Sequence, residues 1–338
     1  MIAAGRVVGV RDGSDVALAR RVAVQCAESL RMDETVTAKV ALVATELATN
    51  LVKHAQGGSM LFASDESRPH ALTLITIDKG RGFANLNAAM RDGYSTAGSP
   101  GTGLGAIQRA SDRFDVYSVP DRGAAVLCTF ENGSNVPAPP ASGSPSRIVY
   151  GGVCIPKPGE DQPGDGWAAI PSRESVTIAV ADGLGHGGAA ADASHAALRV
   201  IRARPDADPE RMFQDAHGAL RATRGAALAV ARIYASLGRI DFTGIGNIAG
   251  TITSDEGTRR TVSTPGIVGH EMRRVQTFSY PWTASSVLFL HSDGVSTNWN
   301  ATQYPGLMQH DPALIAAVIF RDYCRGTDDA TVVVAKAS

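Results

Sequence analysis

Net charge is almost absent from this chain: 32 basic residues against 33 acidic ones leave a formal charge of −1 over 338 residues. Such a balance gives no electrostatic footprint for nucleic acid, and the small basic cluster of Arg199, Arg202 and Arg204 reads as a solvated helix end. Long apolar runs are missing too, since none approaches the ~20 residues that cross a bilayer. The first residues lack the charged start and apolar stretch of a secretory leader, so a cytoplasmic location is expected. Cysteine is sparse. Cys26, Cys128, Cys154 and Cys324 are scattered without a Cys-x-x-Cys pair, which argues against a zinc site and for reduced, mostly buried thiols. No internal repeat is visible.

The length suffices for two domains, and the composition shows where they part. Residues 132–146 are rich in Pro, Ser, Ala and Gly, with Val136 as their only large apolar residue, as in a semi-extended linker. The expected organisation is a domain over residues 1–133, a linker over 134–146 and a second domain over 147–338.

In the second domain the segment Ala181-Asp182-Gly183-Leu184-Gly185-His186-Gly187-Gly188 carries the most information. The apolar run 176–180 delivers one acid into a loop that is nearly all backbone. Hard divalent cations take carboxylate, carbonyl and water oxygens, so Asp182 with the Gly183 carbonyl suits such an ion. One Asp-Gly after a strand is most often only a turn. Here the pattern repeats: Asp165 in Gly164-Asp165-Gly166, Asp293 in His291-Ser292-Asp293-Gly294 after the run 287–290, and Asp328-Asp329 before the strand-like 330–335.

The order and spacing of these acids resemble the metal-dependent serine/threonine protein phosphatases, in their bacterial SpoIIE and RsbX branch, over residues 147–338. That resemblance implies two Mn²⁺ or Mg²⁺ ions. Asp182 would bridge them, Gly183 would offer its carbonyl, Asp293 and Asp328 would bind one ion, and Asp165 would complete the set. Asp328 is favoured over Asp329 because the family places its ligand first in this run. Gly164 stands where many larger relatives have Glu. His186 is expected near the metals but outside their ligand set.

The first third carries a second constellation. Over residues 33–55, Val36, Val40, Val43, Leu47 and Leu51 recur at helical spacing, and Glu46, Asn50 and His54 fall on one face at i, i+4 and i+8. A polar stripe on a solvated helix is the plain reading of those three. Two glycine motifs argue for more: Asp78-Lys79-Gly80-Arg81-Gly82-Phe83 after an alternating strand, and Gly98-Ser99-Pro100-Gly101-Thr102-Gly103-Leu104-Gly105 running into a helix. Glycine allows close backbone approach, and helix-start N–H groups attract phosphate.

In this order the three motifs resemble the Bergerat ATP-binding fold of gyrase, histidine kinases and MutL. The words around Glu46 and Asn50, with Asp92-Gly93-Tyr94-Ser95-Thr96, are similar to the RsbT branch of anti-sigma-type serine kinases, over residues 5–131. The resemblance implies ATP with Mg²⁺ held by Asn50, Asp78 accepting from the adenine amino group, and Gly80 and Gly82 against the base. Gly101, Gly103 and Gly105 would cover the phosphates, and Glu46 would be the general base. His54 would hold phosphate or merely pack its helix. Relatives often have Thr just after the residue matching Gly123, where Ala124 stands here, and Thr129 is a candidate replacement.

The fold class expected is α/β (α+β): an α/β sandwich with helices on one face of a small mixed sheet, Ser14 capping the first helix, then an antiparallel β-sandwich flanked by helices over residues 189–204, 209–221 and 313–323. By resemblance the chain is a bifunctional switch enzyme, a serine/threonine kinase and a phosphatase acting oppositely on a STAS-domain antagonist in partner switching, with other switch or sigma-factor regulators as further partners. Two alternatives stay open. The N-terminal half is a non-catalytic ATP-binding regulator of the phosphatase, or it sequesters a partner.

Overall fold

A computed structural model describes residues 5–65, 68–90, 103–132 and 148–338. The expected linker and Asp92 to Thr96, like Gly101, lie outside the described residues. Residues 5–132 form one compact unit and residues 148–338 another.

In the first unit the order is β1 (Arg6–Val10), α1 (Gly13–Ser29), α2 (Glu34–His54), β2 (Gly58–Asp65), β3 (Arg68–Ile77), α3 (Leu86–Ala89), α4 (Leu104–Ala110), β4 (Arg113–Ser118) and β5 (Ala124–Glu131). The sheet runs β1-β2-β3-β5-β4. Every pairing is antiparallel, which corrects the expected mixed sheet: β4 and β5 are joined by a short turn, and a hairpin can only pair antiparallel.

α2 starts where the sequence places it, because Asp33 accepts from Val36 N at 2.8 Å and caps an otherwise orphaned donor. Val40, Val43, Ala44, Leu47 and Leu51 are buried in one core with Met60, Phe62, Leu72, Leu74, Val126, Cys128 and Phe130. Period 3.6 on the helix thus meets period 2 on β2, β3 and β5. Each such large side chain contributes about 1.5–3 kcal/mol by leaving water. At 21 residues α2 also has the length and apolarity of a membrane span, against the expectation that no segment does; its apolar side is this core. The cap of α1 differs from expectation. Asp12, not Ser14, is the N-cap, accepting from Ser14 N at 2.8 Å, while Asp15 reaches back to the Asp12 amide. The acid three residues on closes a reciprocal box that serine at position 14 cannot form.

The second unit comprises β6 (Ile148–Ile155), β7 (Asp165–Pro171), β8 (Val176–Gly183), α5 (Gly188–Ala203), α6 (Pro209–Leu220), β9 (Ala226–Tyr234), β10 (Arg239–Ile245), β11 (Ala249–Ser254), β12 (Gly257–Arg260), β13 (Thr277–Pro281), β14 (Val287–His291), α7 (Pro312–Tyr323) and β15 (Ala330–Ala337). Two antiparallel sheets result, β13-β10-β9-β8-β7 and β12-β11-β14-β15-β6. Alternation on β8 divides the core in two. Ile178 and Val180 join Ala229, Phe242, Leu288, Leu290 and Val333 between the sheets, whereas Ala179 and Ala181 lie with Leu198, Ile201, Met212 and Phe213 of α5 and α6. Small alanines on that face let the helices approach closely. Asp208 caps α6 through Glu210 N at 2.9 Å, and buried Arg232 donates to Pro205 O and Ala207 O at 2.6 and 2.8 Å, fixing the α5–α6 turn. α7 packs on β6 and β15.

Candidate metal centre and candidate nucleotide pocket

Four strand or loop ends of the second unit bring their acids to one place. β7 and β8 pair with Asp165 directly opposite Asp182, and like charges directly opposite destabilise a sheet. Asp293 follows β14 and Asp328 precedes β15, two neighbouring strands of the other sheet. Glycines make the convergence possible. A Cβ on Gly294 would lie 1.9 Å from Asp329 O, one on Gly183 2.0 Å from Ala190 O, and one on Gly164 2.6 Å from Ala190 Cβ. Gly183 and Gly294 meet backbone and Gly164 meets side chains of Ala190 and Asp329, so the glycines are required by packing as much as by any ligand.

The electrostatics are those of a site short of positive charge. Burial, and after it the charges of Asp165, Asp293, Asp328 and Asp329, push the Asp182 carboxyl up to about 9. Asp165, 2% exposed, is pushed up to about 7, by burial first, with the charges of Asp329 and Asp293 adding and the hydroxyls of Ser292 and Thr331 opposing. Those hydroxyls do not satisfy it: Asp165 Oδ2 and Thr331 Oγ1 are both buried without a hydrogen-bond partner. An orphaned carboxylate oxygen facing further acids fits a hard divalent cation. Among the described residues no three Asp, Glu, His or Cys side chains stand together closely enough to hold a metal ion, so the fit rests on the orphaned Asp165 oxygen and the mutual charges of the acids.

The geometry separates Asp328 from Asp329. Asp329 Oδ1 accepts from Lys157 N at 2.7 Å and Oδ2 from Gly164 N at 2.8 Å, so both oxygens are engaged in holding the β6–β7 loop. Asp328 spends Oδ1 on Asp329 N at 2.9 Å and keeps Oδ2. Two residues were missed by sequence reasoning. Asn247 Nδ2 donates to Asp293 Oδ2 at 2.7 Å, orienting that acid; the glycine-rich turn Gly244-Ile245-Gly246-Asn247 was the available signal. Glu160 Oε1 sits 2.6 Å from His186 Nδ1 and has no sequence signal, lying in a long loop 26 residues upstream.

In the first unit a cavity of about 320 Å³ is lined by Glu46, Asn50, Lys53 and His54 of α2, Thr76 and Asp78 at the end of β3, Gly82, Phe83, Asn85, Gly103, Ala124 and Val126. The volume and the mixture of apolar wall and few polar groups suit a small ligand. Asp78 Oδ1 accepts from Gly80 N at 2.8 Å and from Ala124 N at 3.3 Å, so backbone fixes this carboxylate. Gly82 and Gly103 line the cavity. Gly80 and Gly105 do not; a Cβ on Gly80 would meet Ala55 Cα at 2.8 Å, and Gly105 is buried within α4. Thr129 is hydrogen-bonded to Thr73 at 3.0 Å and is not part of the wall, where Thr76 stands instead. Lys53, Phe83 and Asn85 were not singled out from the sequence, although Lys53 follows Asn50 by one helical turn.

Comparison with known proteins matches each unit to a family. Residues 11–130 match the family described as Histidine kinase-like ATPase domain, and residues 172–338 match Stage II sporulation protein E (SpoIIE). The serine/threonine-protein kinase RsbT of Bacillus subtilis (strain 168) is 29% identical over 113 residues, 33% of this chain and 85% of that protein. A structure described under the bacterial stressosome, a modular system adapted to control secondary messenger signalling, is 27% identical with a TM-score of 0.53, covering 56% of this chain and all of its own. RsbX in complex with magnesium is 21% identical with a TM-score of 0.49, over 56% of this chain and 96% of its own. The chain therefore carries an RsbT-like kinase-type domain followed by a SpoIIE-like phosphatase-type domain.

Proposed function

With an RsbT-like module joined to a SpoIIE-like one as premise, we propose that the chain is a two-activity regulator of partner switching. Its C-terminal half hydrolyses phosphoserine or phosphothreonine on a partner protein, and its N-terminal half phosphorylates the same class of residue with ATP. A cytoplasmic antagonist of STAS type is the substrate class that the RsbT likeness suggests.

The observation that carries the hydrolytic half is the buried Asp165 set opposite the half-buried Asp182 across β7–β8, with the charges of Asp293 and Asp328 acting on Asp182. Asp165, Asp182, the Gly183 carbonyl, Asp293 and Asp328 would hold Mn²⁺ or Mg²⁺, which when bound supply an ionised water at neutral pH and draw charge from phosphoryl oxygens. The chain's own contribution is orientation: Asn247 turns Asp293, and Asp329 braces the loop that carries Asp165.

For the other half, phosphoryl transfer asks mostly for positioning and charge neutralisation. Asn50 would take the Mg²⁺ of the nucleotide, Asp78 the adenine amino group, and Glu46, one turn before Asn50 on the same helix face, the proton of an incoming hydroxyl. Glu46 at the cavity wall favours a kinase over a nucleotide sensor, which has no need of a base. Incubating the full chain with radiolabelled ATP and candidate STAS-domain proteins, then with the phosphorylated products and Mn²⁺, tests both halves. Transfer without removal, or removal without transfer, would leave one activity standing.

A further inference from the structure

Arg224 lies in the turn between α6 and β9, and its side chain reaches the glycine loop of the metal centre: Nη1 is 2.8 Å from where a Cβ on Gly185 would sit. Two features hold it there. Leu184 N donates to Gly225 O at 3.0 Å and ties the two loops together. Thr223 Oγ1 donates to Leu220 O at 2.8 Å and accepts from Gly225 N at 3.1 Å, which fixes the turn itself. Gly185 has φ of +90°, and a side chain there would collide with the guanidinium.

Arg224 is exposed and, among the described residues, makes no ion pair or hydrogen bond with its side chain. Arg204 and Arg211 nearby in sequence both pair with Asp215, so acids were available to neighbours but none is supplied here. Arg325 is another basic residue near the site, its backbone bonded to Gly294 O at 2.9 Å and its charge felt at His291.

Resting on the phosphatase reading above, the geometry points to Arg224 as the residue that grips the phosphoryl oxygens of substrate and of released phosphate. Charge balance asks for such a group. The four carboxylates of Asp165, Asp182, Asp293 and Asp328 cancel two divalent cations, whereas a phosphomonoester arrives with a charge of about −2. A planar guanidinium presents paired donors to two phosphoryl oxygens, which an ammonium does not.

The test uses the full chain with Mg²⁺ as wild type, Arg224→Ala and Arg224→Lys. Inorganic phosphate is titrated calorimetrically, and hydrolysis of p-nitrophenyl phosphate and of a phosphoserine peptide is followed. In Arg224→Ala the phosphate Kd and the KM should rise about 10- to 100-fold, the loss of a charge-assisted hydrogen bond, with a smaller effect on kcat. Arg224→Lys should recover part of the affinity, and the ion-induced rise in Tm should be unchanged in both variants, showing that they fold. Unaltered Kd and KM in Arg224→Ala, with wild-type turnover present, overturn the role of Arg224 and leave the phosphatase reading standing. Phosphate affinity that depends on Arg224 in a wild type hydrolysing no phosphomonoester would keep the anion site and remove the hydrolytic reading. A wild type with neither phosphate affinity nor phosphomonoester hydrolysis overturns both.

Discussion

Asp182→Asn should make the metal-free protein more stable, the reverse of what removing a buried, bonded group does. Asp182 faces Asp165 across β7–β8, and both carboxyls are held above the ordinary carboxylate range by burial and by their neighbours' charges. Asp182 carries the larger penalty, moved from 3.8 to about 9 by burial first and then by the charges of Asp165, Asp293, Asp328 and Asp329. A neutral amide at 182 carries none of it, a relief on the order of a few kcal/mol. For a unit of this size each kcal/mol moves Tm by about 2–4 °C, so a rise of several degrees is expected in EDTA at pH 8. The sign against pH follows from linkage. Between pH ~4 and the raised values the folded chain holds protons that the unfolded chain has lost, so wild-type stability in EDTA falls as pH rises through that window. The slope should be shallower in Asp182→Asn. Mn²⁺ or Mg²⁺ at a hundredfold excess over Kd should add about 2.7 kcal/mol to the wild type, a rise of roughly 5–10 °C, and little to the variant, so that the order of stabilities inverts. Calorimetric scans with and without ions at pH 5, 6.5 and 8 read this directly. A variant less stable than wild type in EDTA and still stabilised by ions would refute the argument that this pair waits for a cation.

Asp328 and Asp329 should differ in kind: Asp328→Asn should abolish Mn²⁺-induced stabilisation at nearly unchanged metal-free Tm. Asp329→Asn, which sets an amide donor against one of two backbone N–H groups, should cost about 1–3 kcal/mol of stability in EDTA as well, read by denaturant titration. Gly294→Ala places a Cβ 1.9 Å from Asp329 O, so it should lower Tm and metal affinity together; a neutral outcome would show that the loop moves aside freely. Glu46→Ala should leave ATP affinity intact while phosphoryl transfer falls ~10²–10⁴-fold, whereas Asn50→Ala should weaken nucleotide binding itself, as measured by equilibrium binding and labelled transfer.

Much of this was legible in the sequence because it is local or periodic. The helix bearing Glu46, Asn50 and His54 announces itself by apolar spacing and a capping acid, and its observed bounds, Glu34–His54, lie within a residue of the expected 33–55. The four candidate acids stood out because each lies at the edge of a strand-like run, Asp182 and Asp293 after one and Asp165 and Asp328 before one. Other features could not be read this way. Ser14 looked like a cap, but the choice of Asp12 depends on a reciprocal bond from Asp15. The pairing of β3 with β5, which puts β4 at the edge of the sheet, is a matter of which edges meet.

What the sequence by itself determined is the inventory: two modules, a polar helix face, and acids and glycines at the ends of strands, since propensity, period and turn chemistry act over a few residues. Only the tertiary structure decided how each is used. Asp329, and not Asp328, is a brace because the amides of Lys157 and Gly164 arrive from about 170 residues away. Gly80 must be glycine because Ala55 lies against it, and Asp165 is short of a partner because β7 buries it opposite another acid, Asp182. Each of these turns on desolvation and close contact between distant segments, quantities that exist only once the chain has folded.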